Sequence, residues 1–204
     1  MTFFAVSTIT MLQKRFTFLE NLLKDVVANE FLIISQVSKQ NVLMKIATIR
    51  KTYGMLERIV RNVNIIFGYS IFFGTVANIL VLLADLNYIV TYSNTNDFEF
   101  NYGVDFINAT YATLYSLSTV AIVMACNGVE KTGRNIVTIC YLSHHVLEKS
   151  PIRDEILSFA DFAEHLIPQF SAAGFFQVNQ KVLSSVFSAV ITYFIIIIQF
   201  NKAV

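Results

Sequence analysis

The chain has 204 residues, 55% of them hydrophobic and only 14% charged, with a mean hydropathy of +0.58, whereas a water-soluble domain carries about 25% charged residues. Its formal net charge of +1 offers no electrostatic basis for binding nucleic acid or an acidic substrate. Two cysteines, two prolines and seven glycines exclude a disulfide scaffold, a low-complexity tract and a flexible linker, so a single helical membrane unit is expected.

The first run, Met1–Gln13 (MTFFAVSTITMLQ), is uncharged, but as a helix it reaches only about 20 Å, short of a bilayer. No basic residue precedes it and Lys14-Arg15 follow it, the reverse of a signal peptide. It reads as the inner end of a span whose outer part is missing, and the chain as truncated. Residues 14–61 are expected to form cytoplasmic helices. Phe16, Leu19, Leu22, Leu23, Val26 and Val27 recur at helical spacing, with Glu20, Lys24 and Asp25 off that face. A second helix over Asn41–Arg61 runs on into the first span, with Gly54 its one weak point.

Three full spans are predicted, at about Asn62–Ala84, Phe106–Val129 and Val182–Phe200, each free of charge. Thr132–Leu147 is helical in pattern, and Ser150-Pro151 is an N-cap followed by proline at the first helical position, with Asp154 and Glu155 in the first turn. Pro168 and Gly174 punctuate the approach to the last span, so residues 130–181 complete the cytoplasmic part. Nine of the fifteen basic residues fall between Lys14 and Arg61, and none between Arg61 and Lys131, where Asp85, Asp97, Glu99 and Asp105 lie. By the positive-inside rule the acidic stretch faces outside, and the C-terminus does too.

Other signals are weaker. Asp85 and Lys181 sit at the edges of spans, within reach of the interface. His144, His145 and Glu148 lack a further ligand and read as a solvated helix face, so no metal is expected. Asn108-Ala109-Thr110 is a sequon, placed too close to the bilayer to be modified, and Cys126 and Cys140 lie where thiols stay reduced. Tyr111 and Tyr115, one turn apart, suit a ligand contact, although packing is the plainer reading. No nucleophile–base pair, phosphate loop or redox motif occurs, so neither an enzyme nor a cofactor is expected.

The last span carries the sharpest pattern. At 100° per residue Lys181, Ser185, Ser188, Thr192 and Gln199 fall within roughly 60° of one another, and Phe187, Val190, Phe194, Ile197 and Ile198 occupy the other side. Such a helix lines either a helix interface or water. Small residues four apart, Ser185-Ala189 and Ser188-Thr192, suit close packing. Four copies around an axis would instead offer hydroxyl and amide oxygens to a hydrated cation, with Ile195 and Phe200 close enough to shut the path by dewetting.

Thr192-Tyr193, five hydrophobic residues at Phe194–Ile198, then Gln199-Phe200 resemble the C-terminal signature of the insect gustatory receptors at every position. Upstream, FSAAGFFQVN at Phe170–Asn179 is similar to the same family. The resemblance covers most of the chain but about the C-terminal half of a complete receptor. It implies an all-α, multi-span transmembrane bundle with long cytoplasmic helices, assembled with membrane lipid around it as a homo- or hetero-tetramer. It further implies a ligand-gated cation channel that opens to a small-molecule tastant at the plasma membrane of a sensory neuron, its tastant pocket mostly outside this chain. Carried onto this sequence, Gln199 and Phe200 fall at the outer constriction, with Thr192 and Tyr193 about two turns deeper. With the resemblance, the pore reading is preferred to packing. The alternative is a truncated, non-conducting isoform or assembly partner lacking the tastant pocket; a G-protein-coupled receptor is disfavoured by orientation.

Overall fold

A computed structural model describes residues 2–30, 36–93, 102–147 and 150–203. Asp97 and Glu99 of the acidic stretch, and Glu148 beside the two histidines, lie outside the described residues. The elements are helices α1 (Thr2–Glu30), α2 (Gln36–Ser93), α3 (Tyr102–Val146) and α4 (Pro151–His165), strands β1 (Ser171–Ala172) and β2 (Phe176–Gln177), and helix α5 (Gln180–Ala203). Three helical stretches, Lys39–Val90, Phe106–Val146 and Gln180–Phe200, are long and apolar enough to cross a membrane. The all-α fold class forms as expected, with one two-stranded antiparallel hairpin added.

Alternating steps of four and three residues build the core. On α1 the buried positions are Ala5, Ile9, Leu12, Phe16, Leu19, Leu23 and Val26; on α2 they are Val42, Ile46, Ile49, Tyr53, Leu56, Val60 and Val63. This period of 3.5 keeps an apolar seam in contact along helices packed at a shallow angle, as in a coiled coil. Ring contacts Phe16–Tyr53 and Phe4–Phe67, at 5.6 and 6.1 Å between centroids, fix α1 antiparallel to α2. The seam overrides two sequence expectations. Leu22, placed on the apolar face by spacing, is 36% exposed, whereas Glu20, placed off it, is buried and held by Lys24 at 2.8 Å. The strict seam takes Leu19 and Leu23, which leaves Leu22 at its flank.

Helix α4 closes this bundle. The Ser150 side chain accepts a hydrogen bond from the Arg153 backbone N–H, Pro151 opens the helix, and Asp154 lies in the first turn, as the sequence predicts. Its buried face, Ile152, Ile156, Phe159, Ala160 and Ala163, packs on α3 and α2. Tyr53 stands where three helices meet: its ring lies edge-on to Phe16 and Phe159, and its hydroxyl donates to the carbonyls of Ala163 and Leu166, each at 3.3 Å. Arg50 fastens the outside of the same joint, reaching Ser158 at 3.0 Å and Glu155 at 3.5 Å and lying over the Phe162 ring.

Candidate functional site

The route from α4 to α5 is a hairpin seated on one stripe of α2. The register pairs Ser171 with Gln177 and Ala172 with Phe176, and Val178 N–H donates to the Phe170 carbonyl at 2.8 Å. Ala173 and Gly174 turn the chain at φ 52° and 83°, a left-handed step that glycine takes at little cost. Asn64, Gly68 and Phe72, four residues apart on α2, form the seat. Asn64 donates from Nδ2 to the Gln169 carbonyl at 2.8 Å and accepts from Ser171 N–H at 3.1 Å. A Cβ on Gly68 would lie 3.0 Å from the Ala173 nitrogen, so glycine lets the hairpin sit this close without either backbone shifting. Phe72 stacks on Phe175 at 4.4 Å.

These bonds matter because two-residue strands cannot hold themselves in place. Asn64 satisfies one backbone donor and one acceptor that the short ladder leaves over. Replacing Asn64 by alanine is expected to cost about 1–3 kcal/mol by orphaning them, read as a lower melting temperature of the purified chain in detergent. An unchanged melting curve would show that the hairpin holds its position without Asn64.

The hairpin hands the chain to α5 through Asn179, whose side chain accepts from Lys181 N–H at 3.1 Å, an N-cap that starts the helix at a set point. Helix α5 packs on α2 and, less closely, on α3. Val182, Leu183, Val186, Val190, Phe194, Ile197 and Ile198 are half-buried there, and no residue of the apolar window is fully buried within the chain. The side turned directly away carries the sequence-predicted stripe. Lys181, Ser185, Ser188, Thr192 and Gln199 are all exposed, as are Tyr193 and Ile195, and Phe200 is 72% exposed. Phe187, assigned to the opposite face, is exposed as well, because α2 and α3 cover only the strip centred on Val190.

Two hydroxyls on the stripe, those of Ser185 and Thr192, have a defined polarity. Ser185 Oγ donates to the Lys181 carbonyl at 3.1 Å, and Thr192 Oγ1 donates to the Ser188 carbonyl at 2.8 Å. Each hydroxyl has one hydrogen, and it is used within the helix. What these oxygens turn outward is lone-pair density, which suits a cation or the hydrogens of its water shell and disfavours an anion.

A solved structure has the same fold: the insect olfactory receptor OR5 from Machilis hrabei in complex with eugenol, at a TM-score of 0.66 and 18% identity. The alignment covers 96% of this chain and 48% of that one, so the chain spans about half the length of that receptor. No curated protein sequence matches. The family model for the 7tm chemosensory receptors matches residues 1–204, the whole chain. The chain belongs to the 7tm chemosensory receptor family. As a chemosensory receptor chain it is a multi-pass membrane protein, and the helices long enough to cross are the ones described above.

Elsewhere in this receptor chain, Tyr115 lines a cleft of about 50 Å³ between α2 and α3 with Ser70, Gly74, Thr75, Ser118 and Thr119. Tyr111 is exposed one turn away, as is Asn108 of the sequon. Below Tyr115 on the same interface, Ser116 donates to the buried Asn78 at 3.3 Å. Asp85 is half-buried near the far end of α2, and both cysteines are buried and free. Sequence reasoning missed the seat for the hairpin. Its signal was a polar residue, a glycine and a phenylalanine at i, i+4 and i+8 inside an apolar span, which marks one helix face reserved for something other than lipid.

Proposed function

We propose that this chain forms the pore-bearing half of a gustatory receptor, a tetrameric ligand-gated cation channel that detects small-molecule tastants at the plasma membrane of sensory neurons. In this reading the spans at about 62–84, 106–129 and 182–200 cross the bilayer. Residues 14–61 and 130–181 form the cytoplasmic anchor, and the C-terminus is extracellular. The observation that carries the proposal is the placement of Ser185, Ser188, Thr192 and Gln199 on the side of α5 that its own chain leaves uncovered. A polar stripe in that position needs water or partner helices, since lipid offers it no hydrogen bonds. The acceptor-only hydroxyls of Ser185 and Thr192 support cation passage. The Thr192–Phe200 signature supports gustatory over other chemosensory receptors, and Gln199 with Phe200 is assigned to the gate, Tyr193 and Ile195 flanking the path.

Four Gln199 amides near a common axis can bond donor to acceptor and hold the constriction shut. Gln199→Ala in a full-length receptor carrying this chain is therefore expected to raise tastant-independent cation current severalfold at unchanged surface expression, measured by whole-cell recording. Currents identical to wild type would remove Gln199 from the gate. Full surface expression of the wild-type protein with no current to a broad tastant panel would favour the non-conducting assembly partner.

A further inference from the structure

Helices α1 and α2 enclose an open groove of about 930 Å³. Leu19, Ile49 and Leu56, which belong to the core, also line it. Met11, Phe18 and Met44 line it while more than half exposed, at 59, 67 and 57%. Its other lining residues include three cations, Lys14, Arg15 and Lys45, and no acidic residue. None of the three cations forms an ion pair with another described residue. Unpaired cations around exposed apolar side chains are complementary to a ligand with an anionic and a greasy part.

The arrangement along the helix axis narrows the ligand. Met11 lies in the uncharged run that ends at Lys14-Arg15, so on α1 these two cations are the first past the membrane surface. Because Phe16 lies against Tyr53 in an antiparallel pair, Lys45, eight residues before Tyr53, stands about 12 Å farther from the bilayer. A simple phosphodiester reaches the first two cations only. A headgroup carrying further phosphates at its distal end reaches all three.

We propose that this groove binds a phosphoinositide of the adjacent leaflet, with its phosphodiester at Lys14 and Arg15, its inositol ring over Phe18 and Met44, and its distal phosphates at Lys45. The site lies on the flank of the bundle away from the hairpin and does not depend on α5 conducting ions. Occupancy joins the middle of α1 to the first turns of α2, and so stiffens the bundle in a lipid-dependent way.

The test uses the purified full chain in nanodiscs of phosphatidylcholine, alone or with phosphatidylserine or phosphatidylinositol bisphosphate, and counts retained lipid by native mass spectrometry. The bisphosphate is expected to be retained and phosphatidylserine not. Retention falls about fivefold for Lys45→Gln and roughly 100-fold when Lys14, Arg15 and Lys45 are all replaced by Gln. Equal retention of the two anionic lipids, or undiminished retention by Lys45→Gln, overturns the proposal; the single variant decides if the triple variant melts early in detergent. Displacement of the lipid by soluble inositol trisphosphate at equal concentration overturns it in favour of a free phosphate ligand. Failure of Phe18→Cys to react with a maleimide in pure phosphatidylcholine overturns it in favour of a polypeptide, a second copy or a further stretch of chain, lying in the groove.

Discussion

Tyr53→Ala is expected to destabilise the chain by about 3–5 kcal/mol and to separate α4 from the rest of the bundle. The ring is fully buried, lies 5.6 Å from Phe16 and 5.8 Å from Phe159, and its hydroxyl serves the carbonyls of Ala163 and Leu166. Removing it opens a cavity at the junction of α1, α2 and α4, and leaves the Leu166 carbonyl without this donor, while the Ala163 carbonyl keeps the Leu166 N–H at 3.2 Å. Tyr53→Phe keeps the packing and loses only the bonds, so its cost is about 1 kcal/mol. Thermal unfolding of the detergent-purified variants, followed by circular dichroism, checks both values. If alanine and phenylalanine were equally mild, the joint would not depend on this ring.

The second large effect is expected at Gly133. A Cβ there would lie 2.5 Å from Cδ and 2.7 Å from Cγ of Pro168, both in a buried ring that cannot rotate away. Gly133→Val therefore forces α3 away from the segment that leads into the hairpin, at a cost of about 1–3 kcal/mol from overpacking. Gly74→Ala is the matching control, since nothing lies within 4 Å of its added Cβ; a helical glycine replaced in open space gains up to about 1 kcal/mol. Melting curves that shift in opposite directions for the two variants would support this account. A Gly133→Val chain as stable as wild type would show that Pro168 can shift freely.

Much of the fold was legible in the residues, because helices report themselves through periodicity and charge. The Ser150-Pro151 start of α4 and the continuation of α2 past Gly54 are local signals, and local signals survive folding. The polar stripe of α5 was legible for the same reason, since a helix of known phase needs no partner to define its faces. Which face the chain covers was not. That depends on α2 and α3 arriving on the Val190 side, a long-range fact with no local signature, and it is why Phe187 is exposed against expectation. The hairpin was hidden by its size: two residues per strand carry no alternation to detect, and its seat on α2 comes from Asn64, more than a hundred positions away. Leu22 and Glu20 show the limit within one helix: they lie on opposite flanks of the buried stripe, and which flank is covered depends on the neighbouring helices.

Helix α2 runs for 58 residues without interruption, about 87 Å of rod against a hydrocarbon thickness of about 30 Å. It carries Tyr53 near one end, the support for the hairpin in its middle, and Asp85 toward the other end. A helix without a break passes displacement along its length more as tilt than as local rearrangement. A tilt of about 2.5° pivoting at Tyr53 moves Gly68, roughly 22 Å along the helix, by about 1 Å. Because even a single added Cβ on Gly68 would crowd Ala173 at 3.0 Å, such movement of α2 has little room to dissipate before it reaches the hairpin and the base of α5.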